Sequence, residues 1–247
     1  MKPDLLEQAT EVFVKGFGFT RSFTHPYPGE RIGRLWVLRD APRRKASDYR
    51  REEWIAHGIE PAEVDRVARK RTRGLFCVCA LLKPGEPDAP LRAGYKALGY
   101  RLKASEPVMV HRLRKLPRVT STATIERVMS VEDADALAKA AGWRQILPEY
   151  LTAKAPMRTY VARVDGKIAG WVSSVVCARG NWCSNLQVPP AYRRRGIGRA
   201  LVAKMLQEDR AHGAKRAVLT ASHAGAKLYA TLGYEPVGTL LLFTPKK

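Results

Sequence analysis

The chain has 247 residues, of which 45% are hydrophobic, so it can bury a core and form one large domain or two small ones. It opens without an apolar leader and has no apolar run of about 18 residues, so a membrane-spanning protein is excluded and a cytoplasmic one is expected. The four cysteines form neither a CxxC pair nor a zinc-ligand pattern, so they are expected to be reduced and buried, with no metal site.

The formal net charge of +21 makes nucleic acid a candidate partner. The charge is, however, spread over both halves of the chain instead of forming a basic arm. Dense clusters occur at Arg43–Lys45 with Arg50 and Arg51, and at 69–71 with Arg73. A solvated basic surface is therefore favoured, and nucleic acid is not the expected partner.

The spacing of apolar residues in the first half of the chain predicts helices and strands in turn. A helix is predicted at 4–15, followed by an aromatic loop at 16–28 that is broken by glycine and proline. The following predictions are a strand at 35–38, a charged segment to Glu53, a helix at 61–72 and a strand at 75–81.

A polar linker at 117–123 is the predicted domain boundary, which gives domains at 1–116 and 124–247. The second domain predicts a mixed sheet with helices on both faces, an α/β class. Its predicted elements are a strand at 124–129, helices at 130–141 and 145–151, a hairpin of 160–164 and 167–177 across Asp165-Gly166, a strand at 182–188, a helix at 196–212, a strand at 216–221, a helix at 223–232 and a strand at 236–243.

The turn between the strand at 182–188 and the helix at 196–212 carries the clearest functional signal. Gly196 and Gly198 remove the Cβ atoms that would keep a ligand from the backbone, and the first amides of the helix have no helical partners. Such a helix start binds anions, and four arginines surround it: Arg193, Arg194, Arg195 and Arg199. Leu201 stands where a dinucleotide-binding turn has its third glycine, and no Gly-Lys-Ser/Thr of a nucleotide P-loop follows. The turn is therefore neither of these motifs, and it is expected to bind the pyrophosphate of a different ligand.

This turn resembles the acetyl-CoA signature of the GNAT family of N-acetyltransferases, Arg/Gln-x-x-Gly-x-Gly/Ala, which Arg193, Gly196 and Gly198 meet. The resemblance covers roughly residues 124–247. The family's preceding strand, Leu-x-Val-x-Pro, is matched by Leu186, Val188 and Pro190. Its downstream motif, Asn-x-x-Ala-x-x-Leu-Tyr-x-x-x-Gly-Phe, is met with three departures by Ser222, Gly225, Leu228, Tyr229, Gly233 and Tyr234.

The resemblance implies a GNAT-like acyltransferase fold and an enzyme that moves the acetyl group of acetyl-CoA to a primary amine by direct attack. The amine would be carried by a small molecule or a peptide. Tyr229 is implied as the general acid, and Val188 as the N–H donor to the thioester carbonyl. The implied cofactor contacts are Leu186, Gln187, Val188, Arg193, Arg194, Arg195, Gly196, Ile197, Gly198, Arg199, Ala200 and, more weakly, Ser222.

The general base is not identified by the sequence. The strand before the turn has no carboxylate, and the candidates are Glu149, His223, Glu126 or a water held by Ser184 or Asn185. The missing carboxylate leaves open a different class of protein, a sensor or adaptor that binds acetyl-CoA or nucleic acid without turnover.

An internal similarity links the two halves. Residues 91–100 can be aligned with 225–234, so that Tyr95 matches Tyr229 and Leu-Gly-Tyr recurs at the end of each segment. The first half lacks an Arg-x-x-Gly-x-Gly, since 43–51, taken as the matching place, contains no glycine. The first half therefore resembles a degenerate copy of the second, as in tandem acetyltransferases with one active half.

Overall fold

The computed structural model describes residues 4–246. Its helices are α1 (Leu5–Arg21), α2 (Pro61–Arg71), α3 (Ala89–Ala97), α4 (Val131–Ala141), α5 (Ile197–Ala211) and α6 (His223–Ala230). Its strands are β1 (Gly29–Ile32), β2 (Leu35–Leu38), β3 (Glu52–His57), β4 (Phe76–Leu82), β5 (Tyr100–His111), β6 (Thr124–Arg127), β7 (Met157–Val164), β8 (Lys167–Cys177), β9 (Gly180–Gln187), β10 (Ala217–Thr220) and β11 (Glu235–Pro245).

Two compact units make up the chain. The first comprises the described residues up to Met109, Thr220–Lys227, and those from Glu235 onward; the second comprises Val110–Leu219 and Leu228–Tyr234. The predicted linker at 117–123 thus lies inside the second unit, and the last strand of the chain lies in the first. The reason is a long-range pairing: β11 runs antiparallel to β4, from Thr239 opposite Leu82 to Phe243 opposite Val78.

The first unit is a mixed sheet in the order β1-β2-β3-β4-β11-β5. The pairs β1–β2 and β2–β3 are antiparallel, whereas β3 and β4 are parallel, which requires the crossover helix α2 between them. The core on the face of α2 and α3 contains the fully buried side chains of Trp54, Val78 and Tyr95.

The helix α1 is longer than the predicted helix at 4–15. Asp4 and Glu7 form a reciprocal capping box at its start, and the helix continues through Gly16 and Gly18 to Arg21. A Cβ at Gly18 would lie 2.8 Å from the Tyr27 carbonyl oxygen. The glycine therefore permits close packing inside a helix, and the first part of the predicted aromatic loop is wrong.

The strand β3 was not predicted because it begins with two glutamates, which are poor strand formers. Glu52 is fully buried, and its carboxylate accepts hydrogen bonds from the Arg73 amide at 2.9 Å and from the Trp54 indole at 3.1 Å. Trp54 is on the same strand, but Arg73 is 21 residues away, so no local pattern could indicate that partner. The short strand β1 was also missed.

The second unit has the strand order β10-β9-β8-β7-β6. The predicted hairpin is confirmed: Asp165 and Gly166 join β7 to β8 with φ of 49° and 72°, the left-handed pair of a type I′ turn. Ser130 caps α4 and Gly142 ends it at φ 80°, as predicted. The predicted helix at 145–151 is reduced to one 3-10 turn at Pro148–Tyr150.

The same order of elements occurs twice along the chain. A helix, three antiparallel strands, a helix, a strand parallel to the third, a helix and a final strand form the series from α1 to β5 and again from α4 to β11, with β6 as an addition. The aligned tyrosines also match. The ring centroids of Tyr95 and Tyr100 are 5.4 Å apart at 71°, and those of Tyr229 and Tyr234 are 5.4 Å apart at 66°.

Several arginines of the two basic clusters bind groups of the protein itself. Asp40 is fully buried and pairs with Arg43 and Arg50. Burial raises the pKa of Asp40, but the hydrogen bonds from these arginines outweigh it and hold the pKa at about 2. Arg69 pairs with Asp65 at 2.7 Å. Part of the positive charge therefore stabilises the first unit.

The structure bears on the expectations about membrane spans, metal sites and the cysteines. Among residues 4–246, no helix is long and apolar enough to cross a membrane. The same residues contain no group of three His, Cys, Asp or Glu side chains that could hold a metal ion. All four cysteines are free, and Cys77, Cys79 and Cys183 are buried, but Cys177 is only half-buried, which corrects the prediction for that residue.

The buried carboxyl group of Glu53 should make the free energy of unfolding depend on pH. Burial raises its pKa from 4.5 to about 7 despite Arg21, Arg50 and Arg51 nearby. The folded chain therefore binds more protons than the unfolded one between these values, so the free energy of unfolding falls as pH rises through this range. Glu53→Gln should remove this loss and raise stability at pH 8 by up to about 3 kcal/mol.

Urea unfolding at pH 5 and pH 8 measures this effect. The matched control is Glu132→Gln at an exposed position of α4, which should change neither value. Equal stability changes for Glu53→Gln at both pH values would contradict the raised pKa.

Candidate active site

The turn between β9 and α5 has an unusual backbone. Gly196 stands at the N-cap of α5 with φ 74°, and Arg194 has φ 65°. A non-glycine residue in the left-handed region costs about 1 kcal/mol or more, and such strain is concentrated at functional sites. No side chain caps α5, so its first-turn amides are left for another acceptor.

The predicted cofactor contacts of this turn differ in what they can offer. The N–H groups of Ile197, Gly198 and Arg199 have no helical acceptor. The N–H of Ala200 donates to the Gly196 carbonyl at 3.0 Å, so it is already used. The side chains of Ile197 and Ala200 are buried and pack in the core. An anion at this helix start would meet backbone groups here, not these side chains.

The four arginines place positive charge at the same helix start. Arg193, Arg194, Arg195 and Arg199 are all exposed. The Arg193 Nε donates to the Val188 carbonyl oxygen at 2.9 Å, which ties the turn to the end of β9. Charge of this sign at a helix N-terminus is unfavourable for the helix by itself, and a bound anion would compensate it.

The strand β9 separates from β10 after Trp182, the third of its eight residues. The two strands are parallel and pair only at Asn181 with Ala217 and at Trp182 with Val218. The rest of β9, from Cys183 to Gln187, therefore has no pairing to β10. Leu186 and Gln187, two predicted cofactor contacts, lie in this unpaired part.

A β-bulge lies in the same segment. Trp171 of β8 is opposite Gln187, and Ser173 is opposite Ser184, so β9 contains one residue more than β8 between these pairs. Asn185 has φ 53° within the bulge. Bulges re-aim backbone groups and are frequent beside active sites.

Tyr229 lies in an aromatic cluster of the second unit. Its ring contacts Tyr234, whose ring in turn contacts His111 at 5.3 Å. Burial, and secondarily the nearby Cys183, raises the pKa of Tyr229 well above its ordinary value. The side chain is 9% exposed. Tyr229 is therefore a protonated phenol at neutral pH, and it lies near Cys183 of β9.

A pocket of about 340 Å³ borders the bulged end of β9. Asn185, Gln187 and Pro189 line it together with Trp171 and residues that follow α4, including Trp143 and Gln145. Sequence reasoning missed Trp143, Gln145 and Trp171. Nothing in the sequence indicates them, because Trp143 and Gln145 reach the pocket through the packing of the segment after α4, and Trp171 reaches it from the neighbouring strand β8.

The candidate bases do not converge on this site. Glu126 lies on β6, three strands from β9, and pairs with Arg163 at 3.3 Å. Glu149 is exposed and does not line the pocket. His223 is exposed at the start of α6, in the first unit. Of the two proposed water holders, Asn185 lines the pocket and Ser184 is buried in the pairing with β8.

Ser222 has a structural partner. Its hydroxyl oxygen accepts the Gly225 N–H at 3.1 Å and so caps α6 in the first unit. The hydroxyl keeps its proton and one lone pair for another partner, so the cap leaves Ser222 able to contact a cofactor.

A buried carboxylate anchors α5 to the sheet. Asp209 is fully buried, and its Oδ1 accepts hydrogen bonds from Arg158 at 2.8 Å, Ser174 at 2.6 Å and Asn181 at 2.7 Å. These donors belong to β7, β8 and β9. The helix that starts at the turn is thus held by one residue near its far end, a role that sequence reasoning did not find.

Solved structures of other proteins share this architecture. A GCN5-related N-acetyltransferase from Kribbella flavida matches with a TM-score of 0.67 at 18% identity, over 97% of this chain and 96% of that one. The chain has the GNAT fold. An acetyltransferase from the GNAT family of Novosphingobium aromaticivorans matches with a TM-score of 0.55 at 17% identity, over 96% and 97% of the two chains.

Three further comparisons, with one more solved structure, with family models and with curated sequences, complete the picture of which proteins this chain is similar to. A tandem GNAT protein from the clavulanic acid biosynthesis pathway matches with a TM-score of 0.54 at 16% identity, over 88% of this chain and 82% of that one. The family model for the acetyltransferase (GNAT) domain matches residues 155–236, which include the turn and Tyr229. No curated protein is significantly similar in sequence.

Asp209→Ala is predicted to destabilise the protein strongly. The change leaves the buried Arg158 guanidinium without its counter-charge, and the loss of one partner of a buried pair costs about 3–5 kcal/mol. Glu208→Ala, on the same helix, removes partly exposed pairs with Lys204 and His212 and should cost at most about 1 kcal/mol. Urea denaturation measures both, and similar values for the two variants would contradict the anchoring role.

Proposed function

We propose that this protein is an N-acetyltransferase that moves the acetyl group of acetyl-CoA to a primary amine. The observation that carries the proposal is the combination, in one unit, of an uncapped helix start surrounded by arginines and a strand edge released from its neighbour. The first suits a pyrophosphate, and the second suits an extended chain that carries amide groups, as pantetheine does.

The proposed position of acetyl-CoA follows from these two features. The pyrophosphate would accept hydrogen bonds from the N–H groups of Ile197, Gly198 and Arg199, with the exposed arginines adding charge. A Cβ at Gly198 would meet only ordinary contacts in the free protein, at 3.6 Å from Leu228 and 3.7 Å from Val188. The absence of a side chain at Gly198 thus serves the approach of a ligand more than the packing of the protein.

The pantetheine arm would pair with the free part of β9 near Leu186 and Gln187. This places the thioester beside the bulge, where a backbone N–H, Val188 in our assignment, would donate to the carbonyl oxygen as it becomes anionic. One donor of this kind contributes about 3 kcal/mol to transition-state stabilisation.

The proposed chemical step is direct attack. The amine nitrogen forms a bond to the thioester carbonyl carbon, and the carbon–sulfur bond breaks. The departing sulfur takes the proton of the Tyr229 hydroxyl, and the proton released by the new amide nitrogen restores the phenol through solvent. The products are an N-acetylated amine and CoA thiol, so atoms and charges balance. Burial keeps Tyr229 protonated, so its proton is present when the sulfur departs, although the same shift makes the phenol a weaker acid.

We further propose that the first half of the chain is a diverged copy without a cofactor site. The repeated order of elements and the matched tyrosine pairs support this. In the first half, the segment that corresponds by topology to the β9–α5 turn is 58–60, between β3 and α2. The segment 43–51, expected from the sequence, is not the matching place. At the end of 58–60, Glu60 is the N-cap and Pro61 follows as the first helical residue. A carboxylate repels a pyrophosphate, and proline has no N–H to donate.

Tyr229→Phe tests the proposed acid. Acetyl transfer to the acceptor should fall by about 100-fold or more in kcat, because a positioned proton donor contributes about 10²–10⁴-fold. The affinity for acetyl-CoA should stay within a factor of two, since the phenol acts on the sulfur only when it departs.

The matched control is Tyr95→Phe at the corresponding position of the first half. Its hydroxyl is buried without a hydrogen-bond partner, so its removal should leave kcat and folding unchanged. Unchanged kcat in Tyr229→Phe would remove the general acid from the mechanism. Tight binding of acetyl-CoA without turnover of any amine would instead favour a sensor or adaptor.

A further inference from the structure

The lining of the pocket beside β9 has a distinct chemistry. Three of its side chains are primary amides, Gln145, Asn185 and Gln187, and two are tryptophans, Trp143 and Trp171. None of its lining residues is charged or is a histidine, although the chain carries a net charge of +21. Its volume of about 340 Å³ lies at the small end of the range for small-molecule sites.

One of these amides has an unused donor. Gln145 is 1% exposed, and its Nε2 has no hydrogen-bond partner. Its Oε1 accepts a long hydrogen bond of 3.5 Å from the Asn185 Nδ2. Buried amide donors are almost always paired in native proteins. The unpaired Nε2 therefore points to a ligand that brings an acceptor oxygen.

The tryptophans offer apolar faces next to these amides. Trp143 is 55% exposed, which is unusual for so large a side chain, whereas Trp171 is almost fully buried. A pyranose ring matches both features, because its C–H face packs on an aromatic ring while its hydroxyls donate to and accept from amide groups.

The absence of a base also limits the acceptor. No carboxylate or histidine lines the pocket, so an amine that is already partly neutral has an advantage. At pH 7.5, roughly 0.1% of a lysine-type amine of pKa about 10.4 is neutral, against roughly 30% of an amine of pKa about 7.8. The ring oxygens and hydroxyls of an amino sugar withdraw electrons and lower the pKa of its amine in the same direction.

We propose that the acceptor is an amino sugar, a monosaccharide with an unsubstituted amine and neutral hydroxyls, bound between Trp143 and the amides of Gln145 and Asn185. The inference rests on the proposed acetyl transfer and names its substrate class. Polyamines are disfavoured because the pocket holds no carboxylate for them, and free amino acids because none of its side chains is a cation for their carboxylate.

Acceptor preference is the first test. Release of CoA thiol is followed with glucosamine, galactosamine, a neutral dipeptide and spermidine at pH 7.5. An amino sugar should give a kcat/KM at least 10-fold above that of the dipeptide and of spermidine. A preference for the dipeptide would replace the amino sugar by a peptide N-terminus, and a preference for spermidine would overturn the inference as well.

Substitutions localise the effect. Trp143→Ala and Gln145→Leu should each raise the KM for the amino sugar about 10-fold, with kcat changed less than twofold and acetyl-CoA affinity unchanged. Trp36→Ala, a tryptophan of the first unit, is the control and should leave this KM unchanged. An unchanged KM in both pocket variants would exclude this pocket as the sugar site.

A binding measurement separates this inference from the proposed function. Glucosamine is titrated into the protein with and without saturating CoA, and tryptophan emission is recorded. A saturable change whose midpoint Gln145→Leu raises about 10-fold, with Trp143 still present as the emitter, supports the sugar site even if acetyl-CoA does not bind, in which case acetyl transfer alone fails. No saturable change under either condition, with acetyl-CoA bound normally, overturns the amino sugar and leaves acetyl transfer standing.

Discussion

The proposed active site depends on one interruption in the sheet, the point at which β9 stops pairing with β10. Two residues of β9 are paired to β10, and the following five are not. A strand edge with free backbone groups is normally a liability that proteins cover. Here the free edge is followed along the chain by the turn and by a helix start that lacks a side-chain cap, so both features would be satisfied by one ligand with an extended amide chain and a pyrophosphate.

Rigid supports hold these unsatisfied groups in place. Asp209 fixes α5 to three strands through hydrogen bonds inside the core, and Arg193 joins the turn to the end of β9. The bulge at Asn185 shifts the register of β9 by one residue and brings the pocket to the same stretch of strand. Preorganisation of this kind lets binding energy act on the reacting atoms instead of ordering the site.

The sequence predicted what depends on neighbours along the chain. The Gly-x-Gly turn, the Asp-Gly hairpin and the Ser130 and Gly142 caps are local signals, and the structure contains the elements they indicate. What it did not predict depends on distant partners. Glu52 of β3 accepts a hydrogen bond from the distant Arg73, β11 pairs with β4 of the first unit, and Trp143 and Gln145 reach the pocket only through the packing of a loop. Because the strand β3 was not predicted, the segment of the first half that corresponds to the β9–α5 turn was also assigned to the wrong place.

The central claim is that one cofactor site exists, at the turn of the second half, and calorimetric titration with acetyl-CoA tests it most directly. The wild-type protein should bind one equivalent with micromolar affinity. Gly198→Asp should abolish binding through its charge while it keeps the fold, since a carboxylate favours a helix N-terminus and the position has room for a Cβ. Absence of binding, two equivalents per chain, or unchanged affinity in Gly198→Asp would contradict the account.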